Sequence, residues 1–279
     1  MKKTFTSLLL CTILLSACDF TSPETETDHP AKQLGIEFKQ DIPDNYIPRE
    51  INVVSVGDSL TEGVGDSTER GGYIPYLQER LEAEKGIKGA DFKNYGVKGN
   101  RTTDLIRRLE DPEVRAAIEK ADITVITIGG NDMMKIVREN ISHLKLDQFS
   151  QEKERYEERL HEILNTVKSY NNDTAIVLVG LYNPFVKWFS NIDELNMIVS
   201  DWNSTSQSTV AQYEHAYFVE IMDLFQNPEE DILFTDYFHP NNRGYELIGE
   251  RVYEELNEGA LAEISGDSYI SRKEETQNQ

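Results

Sequence analysis

The sequence predicts an α/β protein, a three-layer α/β/α sandwich with a central parallel sheet of about five strands, on three observations. Five apolar, strand-like runs recur along the chain, at Ile51 to Val56, Phe92 to Val97, Ile123 to Ile128, Ala175 to Leu181 and Ala216 to Ile221. Helical patterns separate these runs, and strands that alternate with helices pair in parallel with both faces of the sheet covered. Neither an internal repeat nor a second composition block interrupts the alternation, so one domain is the economical reading. With 38% hydrophobic residues among 279, the chain can fill its core.

The first element along the chain is a leader. Met1, Lys2 and Lys3 precede an uncharged, largely apolar run from Thr4 to Cys18. That is the layout of a secretory signal peptide, and the run is too short to span a bilayer comfortably. Its end, Leu15-Ser16-Ala17-Cys18, resembles the lipobox of bacterial lipoproteins. The resemblance implies that residues 1–17 are removed and that Cys18 is lipidated. The lipid would then anchor the protein in the cell membrane, facing the extracytoplasmic side of a bacterium. The plainer alternative is an ordinary signal peptide cleaved at the same small residues. Residues 18–48 are polar and acidic, carry Pro23, Pro30, Pro43 and Pro48, and read as a flexible tether.

The domain itself occupies residues 49–264. Between Gln151 and Tyr170 the apolar residues Tyr156, Leu160, Ile163, Leu164, Val167 and Tyr170 recur at three- and four-residue steps, one face of a helix with charges on the other. A second helix is predicted from about Ile192 to Val210, and a third from about Asn242 to Leu256 with Tyr245, Ile248, Val252 and Leu256 facing inward. Residues 265–279 form a polar tail expected to fray.

Composition narrows the partners. The chain carries 28 Lys and Arg against 50 Asp and Glu, a formal charge of −22, and loss of the leader removes Lys2 and Lys3 and no acid, leaving −24. Such a surface disfavours nucleic acid and anionic membrane, which both need clustered basic residues. Cys11 and Cys18 are the two cysteines, so the domain forms no disulfide and no thiolate metal site.

In a sheet of this kind ligands sit beyond the carboxyl ends of the strands. Four polar clusters fall there: Gly57-Asp58-Ser59-Leu60, the stretch from Asn94 through Gly96 and Gly99 to Asn100, Gly129-Gly130-Asn131-Asp132, and Asp236-Tyr237-Phe238-His239-Pro240. A serine hydroxyl is a poor nucleophile unless a base lies within hydrogen-bond reach, itself oriented by a third group. Ser59 leaves a strand and enters a helix, which puts its amide and the helix N-terminus beside any oxyanion formed there. Of the five histidines, His29 lies in the tether and His143, His161 and His215 lie on or beside helices; His239 alone falls in a loop at the right end. Asp236 precedes it by three residues, so one short loop presents a base and a carboxylate to hold its tautomer. Singly, each cluster has a plainer alternative: Asp58 and Ser59 cap a helix, Gly129 and Gly130 turn the chain with Asn131 as cap, and Asp236 and His239 are a surface pair.

Together and in order, Gly57-Asp58-Ser59-Leu60, Gly99, Gly129-Gly130-Asn131-Asp132 and Asp236-x-x-His239 resemble the four blocks of the SGNH or GDSL hydrolases, a superfamily of lipases and acylhydrolases. The resemblance spans about Ile51 to Leu256. It implies a flavodoxin-like SGNH hydrolase fold with Ser59 as nucleophile, His239 as general base and acid, and Asp236 as its orienter. It also implies an oxyanion hole formed by the amides of Ser59 and Gly99 with the side chain of Asn131. Gly96 competes for the glycine role, and the family pattern matches Gly99 better. No metal and no cofactor is implied. Only neutral His239 accepts the serine proton, so activity is expected to fall on acidification.

Other patterns fail sooner. Gly63-Val64-Gly65 lacks the third spaced glycine of a dinucleotide site, and Asn165 stands where a zincin-like helix starting at His161-Glu162 needs its second histidine. There is no G-x-S-x-G elbow. Glu152, Glu154, Glu157 and Glu158 read as a solvated helix face interleaved with Lys153, Arg155 and Arg159.

Function then divides into three readings. The first is an extracytoplasmic serine esterase or lipase acting on carboxylic esters, lipid or short acyl, through an acyl-enzyme. The second is an esterase that removes O-acetyl groups from cell-wall or other glycans; the third is a lipoprotein that binds a ligand without catalysis. The partner implied is a small-molecule ester or lipid, and no signal for an oligomeric state is present. After the fourth strand, Tyr182, Phe185, Trp188 and Phe189 either line an acyl-chain groove or pack over the sheet rim. Leu144, Leu146 and Phe149 are candidates for a facing wall.

Overall fold

Strand β1 (Arg49–Gly57) divides its apolar residues between two faces, Ile51 and Val53 on one side and Val54 and Val56 on the other, as the two-residue period of a strand requires. The chain continues through α1 (Ser59–Glu62), α2 (Ile74–Glu82), β2 (Ile87–Gly96), α3 (Thr102–Leu109), α4 (Pro112–Ile118), β3 (Ile123–Thr127) and α5 (Gly130–Asn140). It then forms α6 (Leu146–Tyr170), β4 (Ala175–Val179), α7 (Asp193–Val210), β5 (Ala216–Val219), a 3-10 turn (Met222–Phe225) and α8 (Asn242–Glu258). This computed structural model describes residues 48–140, 145–185, 193–227, 230–261 and 264, all within the compact unit Ile42–Gln279. The leader, Cys18, the tether up to residue 47 and the tail 265–279 lie outside the described residues.

The five strands pair in parallel in the order β2-β1-β3-β4-β5. This is the α/β architecture with a five-stranded parallel sheet that the sequence predicts, in a flavodoxin-like strand order. Every residue of β3 and β4 is buried because helices cover both faces. On one face Ile51, Val53, Ile123, Val125 and Val177 pack with Leu77 and Leu81 of α2 and Ile248 and Val252 of α8. On the other, Val54, Val56, Ile126, Ile176 and Leu178 pack with Leu105 and Leu109 of α3, Leu160, Ile163 and Leu164 of α6, and Trp202 of α7. Chain order reverses between the neighbours β1 and β3, where Gly57 stands opposite Thr127. Such a switch point opens a crevice at the carboxyl ends of the strands.

Some boundaries differ from expectation for physical reasons. β2 begins at Ile87, five residues before the apolar run, because it is an edge strand whose Lys88, Asp91 and Lys93 point to solvent. α6 starts at Leu146 and not Gln151, and its N-terminus is closed where Gln148 Oε1 accepts the Lys145 amide at 3.2 Å. β3, β4 and β5 end one or two residues early, which frees Ile128, Gly180, Leu181, Glu220 and Ile221 to lead into the loops at the sheet edge. The short helices α1 to α5 carry too few turns for periodicity to mark their ends.

Candidate active site

The site is assembled from the first residues beyond β1. Gly57 adopts φ +143°, and a Cβ there would come within 2.1 Å of the Thr127 carbonyl oxygen, so glycine is what lets β1 close onto β3. Asp58 follows, its amide donating to Thr127 O at 3.0 Å and its Oδ1 accepting the Leu60 amide at 3.1 Å as the N-cap of α1. Capping and display of the serine therefore coexist, since Ser59 is the first residue of α1. Its Oγ lies 2.9 Å from His239 Nε2, and His239 Nδ1 lies 2.6 Å from Asp236 Oδ2.

The loop before α8 delivers both partners. Asp236 Oδ1 accepts the amides of Phe238 and His239, each at 3.0 Å, and Tyr237 between them takes a left-handed φ of +54° to make so tight a turn. The turn is held from outside by Tyr182, whose hydroxyl donates to Phe238 O at 2.6 Å, and by the Phe234 amide, which donates to His239 O at 2.8 Å. Partial burial pushes the Asp236 carboxyl up, but the hydrogen bonds from the His239 ring and from two amides outweigh it and hold the group below its ordinary range. It is a carboxylate built to stay ionised.

Asp58 is the opposite case. Burial pushes its carboxyl from the usual 3.8 up to about 7, against hydrogen bonds from the Leu60 amide and the Thr127 hydroxyl and with the negative charge of Asp132 adding to the rise. Thr127 Oγ1 donates to Asp58 Oδ1 at 2.9 Å and meets Thr61 Oγ1 at 2.8 Å, which in turn meets the Tyr73 hydroxyl at 3.1 Å. This buried relay fastens the turn before Ser59 to β3 and α1.

The two other clusters face the same edge. Val97 donates its amide to Gly57 O at 3.1 Å, which pins the loop carrying Gly99 to the end of β1. Asn131 Nδ2 donates to Asn100 O at 3.0 Å, joining that loop to the start of α5. Of the two rival glycines, the Gly96 amide is engaged by Asn94 Oδ1 at 2.8 Å, whereas among the described residues the amides of Ser59 and Gly99 have no acceptor. Behind Asn131 stands a set that sequence reasoning missed. Asp132 accepts the Thr102 amide at 2.9 Å, the Thr102 hydroxyl at 2.6 Å and Arg159 Nη2 at 3.3 Å. Arg159 also reaches Glu152 at 2.7 Å, so Glu152 belongs to a partly buried network and not to a merely solvated face.

A cleft opens beside Ser59 between helices. Tyr182 and Phe185 line it together with Phe238, and Tyr182 also stacks on Phe225 with ring centroids 3.9 Å apart; Trp188 and Phe189 lie outside the described residues. The facing wall is different from the expected one. It comes from Met133, Met134 and Val137 of α5 and from Leu195 and Val199 of α7. Phe149 is instead buried in the core on the inner face of α6, and Leu146 is exposed at the start of that helix, while Leu144 lies outside the described residues. The signal for these lining residues was the helical spacing of Met133, Met134 and Val137, continuing from Gly130 of the Asn131 cluster.

The arrangement can move a proton from Ser59 to His239 and collect negative charge between backbone amides and the Asn131 amide, as acyl transfer requires. Comparison with known proteins points the same way. The model of the GDSL-like Lipase/Acylhydrolase family matches residues 55–247. The chain is similar to the uncharacterized protein YpmR of Bacillus subtilis (strain 168), 38% identical over 251 residues that cover 89% of this chain and 94% of that one. It is also similar to the spore germination lipase LipC of Bacillus licheniformis, 25% identical over 209 residues, 72% of this chain and 94% of LipC. Among solved structures, the lipase Lip_vut3 from a goat rumen metagenome shares the fold with a TM-score of 0.67 at 21% identity, over 74% of this chain and 97% of that one.

Proposed function

The chain belongs to the GDSL-like lipase/acylhydrolase family and is a hydrolase of the esterase and lipase type, and from that premise we propose that it cleaves carboxylic esters with Ser59 as nucleophile. The observation that carries the proposal is the continuous run Asp236 Oδ2, His239 Nδ1, His239 Nε2, Ser59 Oγ, with separations of 2.6 and 2.9 Å. Ser59 Oγ attacks the ester carbonyl while His239 Nε2 takes its proton. Asp236 keeps the other proton on Nδ1 and stabilises the imidazolium. Charge on the carbonyl oxygen falls to the amides of Ser59 and Gly99 and to Asn131 Nδ2, whose second hydrogen is not needed for Asn100. The His239 proton passes to the departing alcohol. Water, deprotonated by His239, then releases the acid from the acyl-enzyme.

A panel of p-nitrophenyl esters against the protein tests this. The wild type is expected to release p-nitrophenol and to carry a fluorophosphonate adduct on the peptide containing Ser59. Ser59→Ala is expected to lose both. Retained turnover in that variant rejects Ser59 as the nucleophile, and an otherwise folded wild type with neither turnover nor adduct points instead to a non-catalytic binder.

The place of action is part of the same proposal: an enzyme tethered by lipidated Cys18 on the outer side of a bacterial membrane, held there without any basic patch on its acidic surface. Its support is the run of leader, small residues and cysteine at the N-terminus. Metabolic labelling with a palmitate analogue is expected to mark the wild type and to miss Cys18→Ala, and equal labelling of the two rejects the anchor.

A further inference from the structure

We propose that Arg159, Asp132 and Thr102 form a clamp that sets the spacing of the oxyanion donors, with Arg159 as a positioning residue for the hydrolytic reaction. The inference rests on the serine-esterase reading and names what holds its anion site in shape. Thr102 is the first residue of α3, shortly beyond Gly99, and Asp132 directly follows Asn131 at the start of α5. Asp132 Oδ2 accepts the Thr102 amide at 2.9 Å, and Asp132 Oδ1 accepts the Thr102 hydroxyl at 2.6 Å. From the middle of α6, Arg159 closes the ring: Nε donates to Thr102 Oγ1 at 2.6 Å and Nη2 to Asp132 Oδ1 at 3.3 Å. Nη2 also donates to Glu152 at 2.7 Å, which fixes the guanidinium against its own helix. Thr102 and Asp132 are buried, so water does not compete for these bonds.

The donors need such a clamp because the tip of the Gly99 loop has no lateral support. Gly99 takes a left-handed φ of +82° and a Cβ on it would meet nothing within 4 Å, so its amide is placed by the two ends of the loop. One end is tied to β1 where the Val97 amide donates to Gly57 O at 3.1 Å. The other end is Thr102, and the clamp ties it to the helix that carries Asn131. The bond from Asn131 Nδ2 to Asn100 O at 3.0 Å orients the side-chain amide, while the clamp fixes the distance between the two helices behind it. The same face of α6 braces the turn before Asn131. Tyr156, three residues before Arg159, lies under Gly129, where a Cβ would come within 2.7 Å of its Cε2, and it stacks on Trp202 with ring centroids 4.9 Å apart. A buried ion pair adds little net stability over apolar packing, but the planar fork of an arginine fixes direction as apolar contact does not.

The test compares kcat and KM for a p-nitrophenyl ester with Ki for a trifluoromethyl ketone that carries the same acyl chain. Ser59 Oγ adds to the ketone carbon, the Ser59 proton passes to His239 Nε2, and the ketone oxygen becomes an anion facing the same donors, so Ki reports on the anion site. Misplacing a group by about 1 Å costs about 100-fold in rate, and Arg159→Met is expected to lower kcat and raise Ki by about that factor, with KM within about twofold. Thr102→Val keeps the shape and loses the hydroxyl, and is expected to cost about tenfold in both. Thr102→Ser keeps the hydroxyl and is expected to stay within about twofold of the wild type. The Thr102 pair decides the matter should Arg159→Met fail to fold. Unchanged kcat and Ki in Thr102→Val and Arg159→Met, even with a lower thermal midpoint, make the clamp a stability element only and overturn the inference while the esterase reading stands. A loss carried by KM with Ki in place, or a Thr102→Ser protein as impaired as Thr102→Val, overturns it as well. Turnover that survives Ser59→Ala overturns the esterase reading itself.

Discussion

Asp236→Asn is expected to lower kcat about 10⁴-fold while leaving KM and the thermal midpoint nearly unchanged. The asparagine carbonyl can still accept the amides of Phe238 and His239, so the tight turn through Tyr237 keeps its two hydrogen bonds. Its amide nitrogen then faces His239 Nδ1, where Asp236 Oδ2 accepted a proton at 2.6 Å. A donor at that point forces the imidazole proton onto Nε2, the atom that must be bare to receive the Ser59 proton across 2.9 Å. Steady-state kinetics with a thermal melt decide the matter. A loss smaller than about tenfold with the loop intact would mean that Asp236 serves the turn and not the tautomer. Asp236→Ala, which removes the turn's acceptor as well, is the informative contrast.

Asp58→Asn is expected to stabilise the protein above neutral pH and to do nothing of the kind in acid. Asp58 has its pKa pushed up to about 7 in the folded chain, against 3.8 unfolded, so the folded state holds the proton more tightly. Between those values the folded protein binds more protons than the unfolded one, and stability falls as pH rises. Above about pH 7 the penalty is complete, and a shift of this size corresponds to about 4 kcal/mol. Asparagine keeps an acceptor for the Leu60 amide and the Thr127 hydroxyl but has no charge to desolvate. At about 2–4 °C per kcal/mol the midpoint at about pH 8 should rise by about 10 °C, and the gain should vanish near about pH 4. Melting both proteins across that range checks it: a constant gap would assign the effect to packing rather than to ionisation.

Much of the fold is legible in the sequence because β3 and β4 are buried on both faces, so β4 is an unbroken apolar run and β3 is interrupted only by Thr124 and Thr127. The edge strand β2 is less so, since exposure admits Lys88, Asp91 and Lys93 and hides its first half. Ser59, Asp236 and His239 stand out by the same logic of position, at strand ends and in the one suitable loop, and the structure brings them within hydrogen-bond reach. Gly99 and Asn131 stand out only through family resemblance, because a backbone amide leaves no mark on residue type. The pairing of Asp132 with Arg159 depends on how α5 and α6 cross, and no local pattern encodes that. The wall of the cleft is a matter of competing apolar residues: Phe149 lies nearer in type to what a lipid groove needs, but its place on α6 turns it into the core.

The hydrogen bond between Ser59 and His239 joins residues 180 positions apart. At the usual pace of synthesis, about 5–20 residues per second, His239 leaves the ribosome roughly 10–40 s after Ser59. α8, which must follow His239 to complete the fold, contributes Tyr245, whose hydroxyl donates to Val64 O at 2.7 Å beside α1. In the proposed mechanism the chain is thus made in an inert order: until its C-terminal elements have docked, Ser59 stands without the histidine that would take its proton.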